Sequence, residues 1–440
     1  MDINIYPYVN VFPRVFRSHE KQSITIEPKY SFITFKENAE YNVLIRPRYK
    51  YASPYFSPIK IEASNNKLQI EYEFNEEQEY ILDIKSAEQA PKCQNISTSV
   101  YALDGDLYGK LVLKGDLHVH STFSDGQESP LYLAVMGRLR GFDFLAITDH
   151  NNYEGSAHLW KIMKQVPNNM VIIHGEEISA KGCRAHILSL GAQHAVHPIV
   201  SRSFTPEQTA IIAKIVEEYE TCLNPSVDKH EFAVAMYVFD KIREARGLSV
   251  LCHMYWDSFD SNEGKQRGIS EEFVRDLVRF ADFDAFEIVS GCPEYDMVAN
   301  TLQRIFYEEN LQEKGLPVIG ITDTHSLLGN PIYGKNYTIV FSDRKDEESI
   351  VDSIRKKRSV AVDGTKGKII CNGQLRYVKY AYFLVKHYFP FHDRLAAMEA
   401  LVMDRIIQCD INKRANAIDQ LKRNCADTAC ELSKEWESIV

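Results

Sequence analysis

Six histidines and three acidic residues stand out, because each falls at or beside the end of a short apolar run. His118 and His120 follow KLVLKGD, His150 ends FLAITDH, His186 opens HILSLG, His253 ends VLCH and His325 ends GITDTH. Asp125, Glu177 and Asp323 lie among them. His118 and His120 are two apart, as are Asp323 and His325. On an extended backbone, side chains two apart project to the same side, so each pair can aim both donors at one point. Imidazole nitrogen mixed with carboxylate oxygen suits zinc, manganese or iron better than calcium or magnesium. Nine donors exceed the four that one tetrahedral ion uses. They can serve two or three divalent ions if a carboxylate such as Glu177 bridges. A single histidine at a strand end is usually structural. Nine such groups at the ends of six strands are not, since burying them without cations would strand many polar atoms.

The elements that must position these residues read as follows. Residues 1 to about 110 hold alternating apolar and polar runs (SITIEP, YNVLIRP, KLQIEYEF, EYILDIKS), which predict a β-rich, sandwich-like N-terminal domain. From Gly115 to Gly364, apolar strands alternate with amphipathic segments such as EFAVAMYVFDKIREARG and SEEFVRDLVRFA. That rhythm predicts an α/β domain of parallel strands, and seven strands predict a closed or nearly closed barrel. The ligand candidates would then lie mostly at the C-terminal strand ends, the active face of such barrels. Residues 194–229 break the rhythm and are expected to be an insertion over the barrel mouth. Residues 366–440 are expected to be mainly helical, with the aromatic stretch YVKYAYFLVKHYFPF packing rather than binding a cofactor.

Composition narrows the function. With 51 basic and 61 acidic residues the net charge is −10, which disfavours a long nucleic acid as partner. A small-molecule substrate, phosphorylated or not, survives that test because bound ions dominate a local field. The nine cysteines include no C-x-x-C pair, and no stretch approaches the ~20 apolar residues of a membrane span. Reduced thiols in a cytoplasmic protein are therefore expected. The helical tail offers a surface for a homo-oligomer.

The motifs GDLHVHSTFSDG, FLAITDHN, GEEIS, HILSLG, VLCHMYW and GITDTH together resemble the PHP (polymerase and histidinol phosphatase) superfamily, over about residues 115–364. The resemblance implies a distorted (β/α)7 barrel. It also implies a trinuclear site on His118, His120, Asp125, His150, Glu177, His186, His253, Asp323 and His325. Within it, His118, His120, Glu177 and Asp323 would hold one ion and Glu177, His186 and His253 a second. Asp125, His150 and His325 would hold a third. The β-rich N-terminal region and VLCHMYW look most like the aryl carbamate (carbaryl) hydrolase branch. Met254 stands where many relatives have Pro, which touches only the local loop shape. The expected activity is phosphoester hydrolysis of a small metabolite or nucleotide through a metal-bridging hydroxide. Amide, ester or carbamate hydrolysis is the first alternative and a non-catalytic metal-bound scaffold the second. Glu177, Asp323 and His325 are the candidate catalytic residues, with Asp323 as base or water-orienting ligand. Asp116 and Asp149 are expected to support ligands rather than react. Arg184, Arg267 and Trp256 are candidate substrate contacts, with Lys181, Lys265 and Tyr255 beside them.

Overall fold

The structure is a computed structural model. It describes residues 8–50, 55–87, 95–256, 259–260, 265–266, 268–291, 298–328, 332–365, 367–408, 416, 418–427 and 430–431. The chain divides into two compact units. The first comprises the described residues up to Lys110, Leu375–Leu395 and those from Ala426; the second comprises Leu111–Gln374 and Ala396–Cys425. The mainly helical region after residue 366 is thus shared between the two.

In the first unit two sheets close on one apolar core. The smaller joins Val9–Phe12, Lys21–Pro28 and Leu68–Glu73; the larger runs Val15–Arg17, Ile96–Leu103, Gln78–Ser86, Glu40–Pro47, Ile59–Glu62. Alternation explains them: Tyr41, Val43 and Ile45 are buried while their neighbours are partly or fully exposed. The aromatic stretch becomes the helix Leu375–His387, whose Tyr380 and Phe383 rings pack 4.9 and 5.3 Å from Tyr101.

The second unit carries the candidate site and is mixed α/β. A six-stranded sheet runs Val171–Ile173, Phe144–Ala146, Leu111–Asp116, Tyr337–Ser342, Ser359–Asp363, Ile370–Gly373. A five-stranded sheet runs Gly175–Ser179, His186–Leu190, Leu248–Leu251, Ala285–Val289, Val318–Gly320. Two isolated parallel bridges tie the sheets together, His150 with Glu177 and Val119 with Thr324. All four of those residues belong to the segments that carry the metal donors. Phe144 and Ile173 from one sheet share a core with Leu188, Val250 and Ile319 from the other.

The strands are not all parallel, contrary to the expectation from their alternation with helices. His186–Leu190 pairs antiparallel with both Gly175–Ser179 and Leu248–Leu251, and Tyr337–Ser342 runs antiparallel to Leu111–Asp116. For Gly175–Ser179 and His186–Leu190 the reason is connection length. Only residues 180–185 separate Gly175–Ser179 from His186–Leu190, and a parallel crossover needs a dozen or more.

The helices start where the sequence supplies caps. Ser129 caps Pro130–Leu139, Asp228 caps Lys229–Glu244 through the amides of His230 and Glu231, and Ser270 caps Glu271–Phe280. The break in rhythm at residues 194–229 contains a helix. The helix Pro206–Tyr219 docks on the helix Lys229–Glu244, with Tyr219 5.6 Å from Phe232 and Phe204, just before it, 6.1 Å from Tyr237. Ile212 is buried there, and Ile215 and Val216 are partly buried against the same apolar core. Among the described residues no helix is long and apolar enough to cross a membrane.

Candidate metal centre

All nine donors converge. His118 and His120 leave the end of Leu111–Asp116 and aim both Nε2 atoms inward, 3.2 Å from each other. Each also faces Asp323 Oδ1, at 3.2 and 3.0 Å, and Glu177 Oε2, at 3.3 and 3.2 Å. The other oxygen of Glu177 lies 2.8 Å from His186 Nδ1 and 2.9 Å from His253 Nε2. His150 Nδ1 stands 2.9 Å from Glu177 Oε2. Asp125 completes the outer side, 3.4 Å from His325 Nε2 and 3.7 Å from both His150 Nε2 and His120 Nδ1. Donor sets with every member within 4.8 Å of the others include His118, His120, Glu177 and Asp323, then His120, Asp125, His150 and His325, and also His150, Glu177 and His186.

This arrangement fits cations. Glu177 is fully buried and meets five imidazole nitrogens, more than a carboxylate can accept hydrogen bonds from. Glu177 Oε2, Asp323 Oδ1 and His150 Nδ1 are buried with no hydrogen-bond partner. Two nitrogens of His118 and His120 face each other, where at most one proton fits between them. Orphaned buried donors and acceptors cost about 1–3 kcal/mol each, which metal coordination removes. The charges of the side chains are matched among themselves. Burial opposes a charge on His118 and His120, but Asp323 and Glu177 override it. Those carboxylates hold His118 well above the usual imidazole range and His120 up to about 9. Burial likewise opposes ionised Glu177 and Asp323, and the surrounding imidazoles override it and hold both carboxyls low.

The support lies one bond behind the donors. Asp116 accepts from the His118 amide (3.2 Å) and the Thr322 hydroxyl (2.5 Å), tying the first donor segment to the Asp323 segment. Its burial pushes its carboxyl up to about 7, against those hydrogen bonds. Asp149 accepts from the Ser121 amide, the Ser121 hydroxyl and the Ser124 hydroxyl, which shapes the loop carrying Asp125. Asp323 and His253 both have positive φ, 48° and 21°. Such backbone costs of order 1–3 kcal/mol and persists where the surroundings fix it. Here the Asp323 amide donates to His118 O at 2.9 Å and the His253 amide to Glu287 Oε1 at 3.1 Å.

Two residues at the site were not singled out from the sequence. Glu287, fully buried, takes His118 Nδ1 on its second oxygen at 3.3 Å. Its signal was available: a carboxylate inside the apolar strand Ala285–Val289 must have a polar partner. Cys252 is the second. Its sulfur groups with donor atoms of His118, Glu177 and His253, all within 4.8 Å of one another. Burial pushes its thiol well above the ordinary value, against the contact with His118.

The substrate candidates separate. Trp256 lies at the donor pocket, its ring 5.5 Å from His186 and 5.7 Å from His253. Arg184 is held by Glu231 through Nε and Nη2, at 3.0 and 2.7 Å, and by Gly268 O. Lys181 Nζ bonds Ser203 Oγ at 2.9 Å. The Tyr255 hydroxyl donates to Glu271 at 2.6 Å. Arg267 and the side chain of Lys265 lie outside the described residues.

The chain matches no family model. Over 82 residues, 18% of the chain, it is 33% identical to phosphoribosyl 1,2-cyclic phosphate 1,2-diphosphodiesterase of Eggerthella lenta, of which that stretch is 30%. Over 41 residues, 9% of the chain, it is 49% identical to DNA polymerase/3'-5' exonuclease PolX of Bacillus subtilis, of which that stretch is 7%. The chain thus spans under a third of either relative. Among solved structures it is similar to a two-domain protein from Bacteroides vulgatus containing a predicted PHP-like metal-dependent phosphoesterase. That match has a TM-score of 0.38 at 16% identity, over 58% of this chain and 66% of that one. An amidohydrolase from Chromobacterium violaceum with bound sulfate matches at a TM-score of 0.31 and 18% identity, over 49% of this chain and 88% of that one.

Proposed function

We propose that the chain is a PHP-superfamily metal-dependent hydrolase, with a distorted (β/α)7 barrel as scaffold, that cleaves the phosphoester of a small metabolite or nucleotide. The observation that carries this reading is Glu177, a buried carboxylate shared by five imidazoles and common to several overlapping donor sets. Overlapping sets imply two or three ions close together, the arrangement that clamps both oxygens of a phosphoryl displacement. The 33% identical stretch of a phosphodiesterase supports the phosphoester class. Zinc, manganese and iron fit the nitrogen and oxygen donors. When bound, such ions act as Lewis acids and lower the pKa of bound water from 15.7 to about 7.

The chain's own residues then divide the work. Glu177, common to several donor sets, would hold neighbouring ions at a fixed spacing. Asp323, at the junction of His118 and His120, orients the attacking water and accepts its proton. His325 and Asp125 hold the outer side, where the substrate enters. Trp256 presents a ring face beside His186 and His253 for the substrate's organic part.

A carboxyl ester, amide or carbamate substrate is the second reading, consistent with the resemblance to the carbaryl hydrolase branch. It is favoured by Arg184, whose guanidinium is engaged by Glu231 rather than waiting for an anion. Nitrophenyl phosphates and naphthyl esters, assayed side by side on manganese- and zinc-loaded protein, separate the two. Phosphate release is expected. Turnover confined to the carboxyl esters contradicts the phosphoester reading, and no turnover by fully loaded protein favours a scaffold.

A further inference from the structure

The cysteine preceding His253 lies in an apolar run, where a thiol ordinarily serves as a small hydrophobe. Its position here is different. Cys252 is 2% exposed and belongs to the core beneath the donors, yet its sulfur sits within 4.8 Å of donor atoms of His118, Glu177 and His253. The strand Leu248–Leu251 ends one residue earlier, and the positive φ of His253 turns the chain there. The turn lets two consecutive residues, which would point to opposite faces of a strand, both address the same cluster. A second observation points to a ligand. Glu177, wholly buried in that cluster, keeps Oε2 without a hydrogen-bond partner.

We propose that Cys252 is a sulfur ligand to an ion shared with His118, Glu177 and His253, which makes this position of the centre prefer thiophilic ions such as zinc over manganese. The inference rests on the metal-hydrolase reading above. A set of two nitrogens, one oxygen and one sulfur is a four-donor set of the kind zinc uses. Thiolate selects zinc over manganese, whereas carboxylate and water accept manganese readily. Burial alone disfavours a bare thiolate, and the ion's charge stabilises it; coordination forms the metal–sulfur bond and releases the thiol proton to solvent.

The test is X-ray absorption at the zinc edge on zinc-loaded, full-length protein, with metal content measured on the same sample. The expected result is a sulfur scatterer at about 2.3 Å, lost in Cys252→Ser and Cys252→Ala. Among the described residues no other thiol joins a donor set, and a wild-type spectrum without sulfur overturns the proposal even if a variant does not fold. Manganese competition adds a second readout. Zinc should outcompete manganese less strongly in Cys252→Ser, by at least ~10-fold. Bound zinc with only nitrogen and oxygen neighbours overturns the sulfur ligand while leaving the metal-hydrolase reading intact. A sulfur signal that persists in both variants overturns it as well. Failure to bind any metal overturns both.

Discussion

At the residue scale the site is governed by who accepts and who donates. Glu287 uses both oxygens, one for His118 Nδ1 and one for the His253 amide. Glu287→Gln replaces one acceptor by an NH2 that must face another N–H. Metal affinity is expected to fall about 10–100-fold, with the fold retained. Competition with a chromophoric chelator measures it, and an unchanged affinity contradicts the role. Proton linkage gives a second prediction. His118, His120, His253 and His325 are raised by neighbouring carboxylates against the effect of burial. Groups raised in the folded state stabilise it fully below their unfolded pKa of about 6.5, and that contribution fades as pH climbs through the folded values. Glu177 and Asp323 are depressed, so their contribution is full above their unfolded values of 4.5 and 3.8 and fades as pH falls. With excess chelator, the unfolding midpoint should therefore be highest between about pH 4.5 and 6.5 and decline toward about 9. A midpoint rising over pH 6.5–9 contradicts the matched-charge description. The donors themselves were legible because their i, i+2 spacing is a property of the chain. Glu287 signalled only a need for some polar partner, and which partner, like the surroundings of Cys252, is set by segments far away in sequence.

At the element scale, donor positions depend on close backbone approaches at strand ends. Gly291 follows the strand Ala285–Val289, and a Cβ there would lie 1.9 Å from Thr322 O and 3.0 Å from Asp323 Cβ. Backbone cannot give way as a flexible side chain can. Gly291→Ala should displace the Asp323 segment and cost both stability and bound metal. Gly105→Ala, where nothing lies within 4 Å, should change neither. Calorimetry with metal analysis on the two variants tests this, and equal behaviour contradicts it. Strands and helices were readable from their period; the structure adds the caps Ser129, Asp228 and Ser270 at three helix starts. Strand direction was not, because it follows from connection lengths such as the six residues between Ser179 and His186. The helix Pro206–Tyr219 was readable as a helix, but its packing partner was not, since an apolar stripe does not name what it faces.

At the scale of the whole molecule, Ala396–Cys425 groups with the site-bearing unit. Ala396, Ala400, Val402, Met403 and Leu421 are buried there, and a buried ion-pair network joins them. Arg138, fully buried, is paired with Asp143 at 3.2 Å and Glu399 at 2.9 Å, and Glu399 also accepts from the amide and side chain of Asn169. Removing one partner of a buried pair costs about 3–5 kcal/mol. Glu399→Ala should lower the unfolding free energy by that order while leaving metal stoichiometry at low temperature unchanged, as urea titration and metal analysis would show. Retained stability contradicts the anchoring role. The account as a whole stands on the convergence of nine side chains from six strand ends onto shared cations. Elemental analysis of the purified protein, beside a His118→Ala, His120→Ala double variant, tests it most directly. Two or three divalent transition-metal ions per wild-type chain, lost in the variant, is the predicted result. One ion or none in the wild type, or the same content in both proteins, contradicts it.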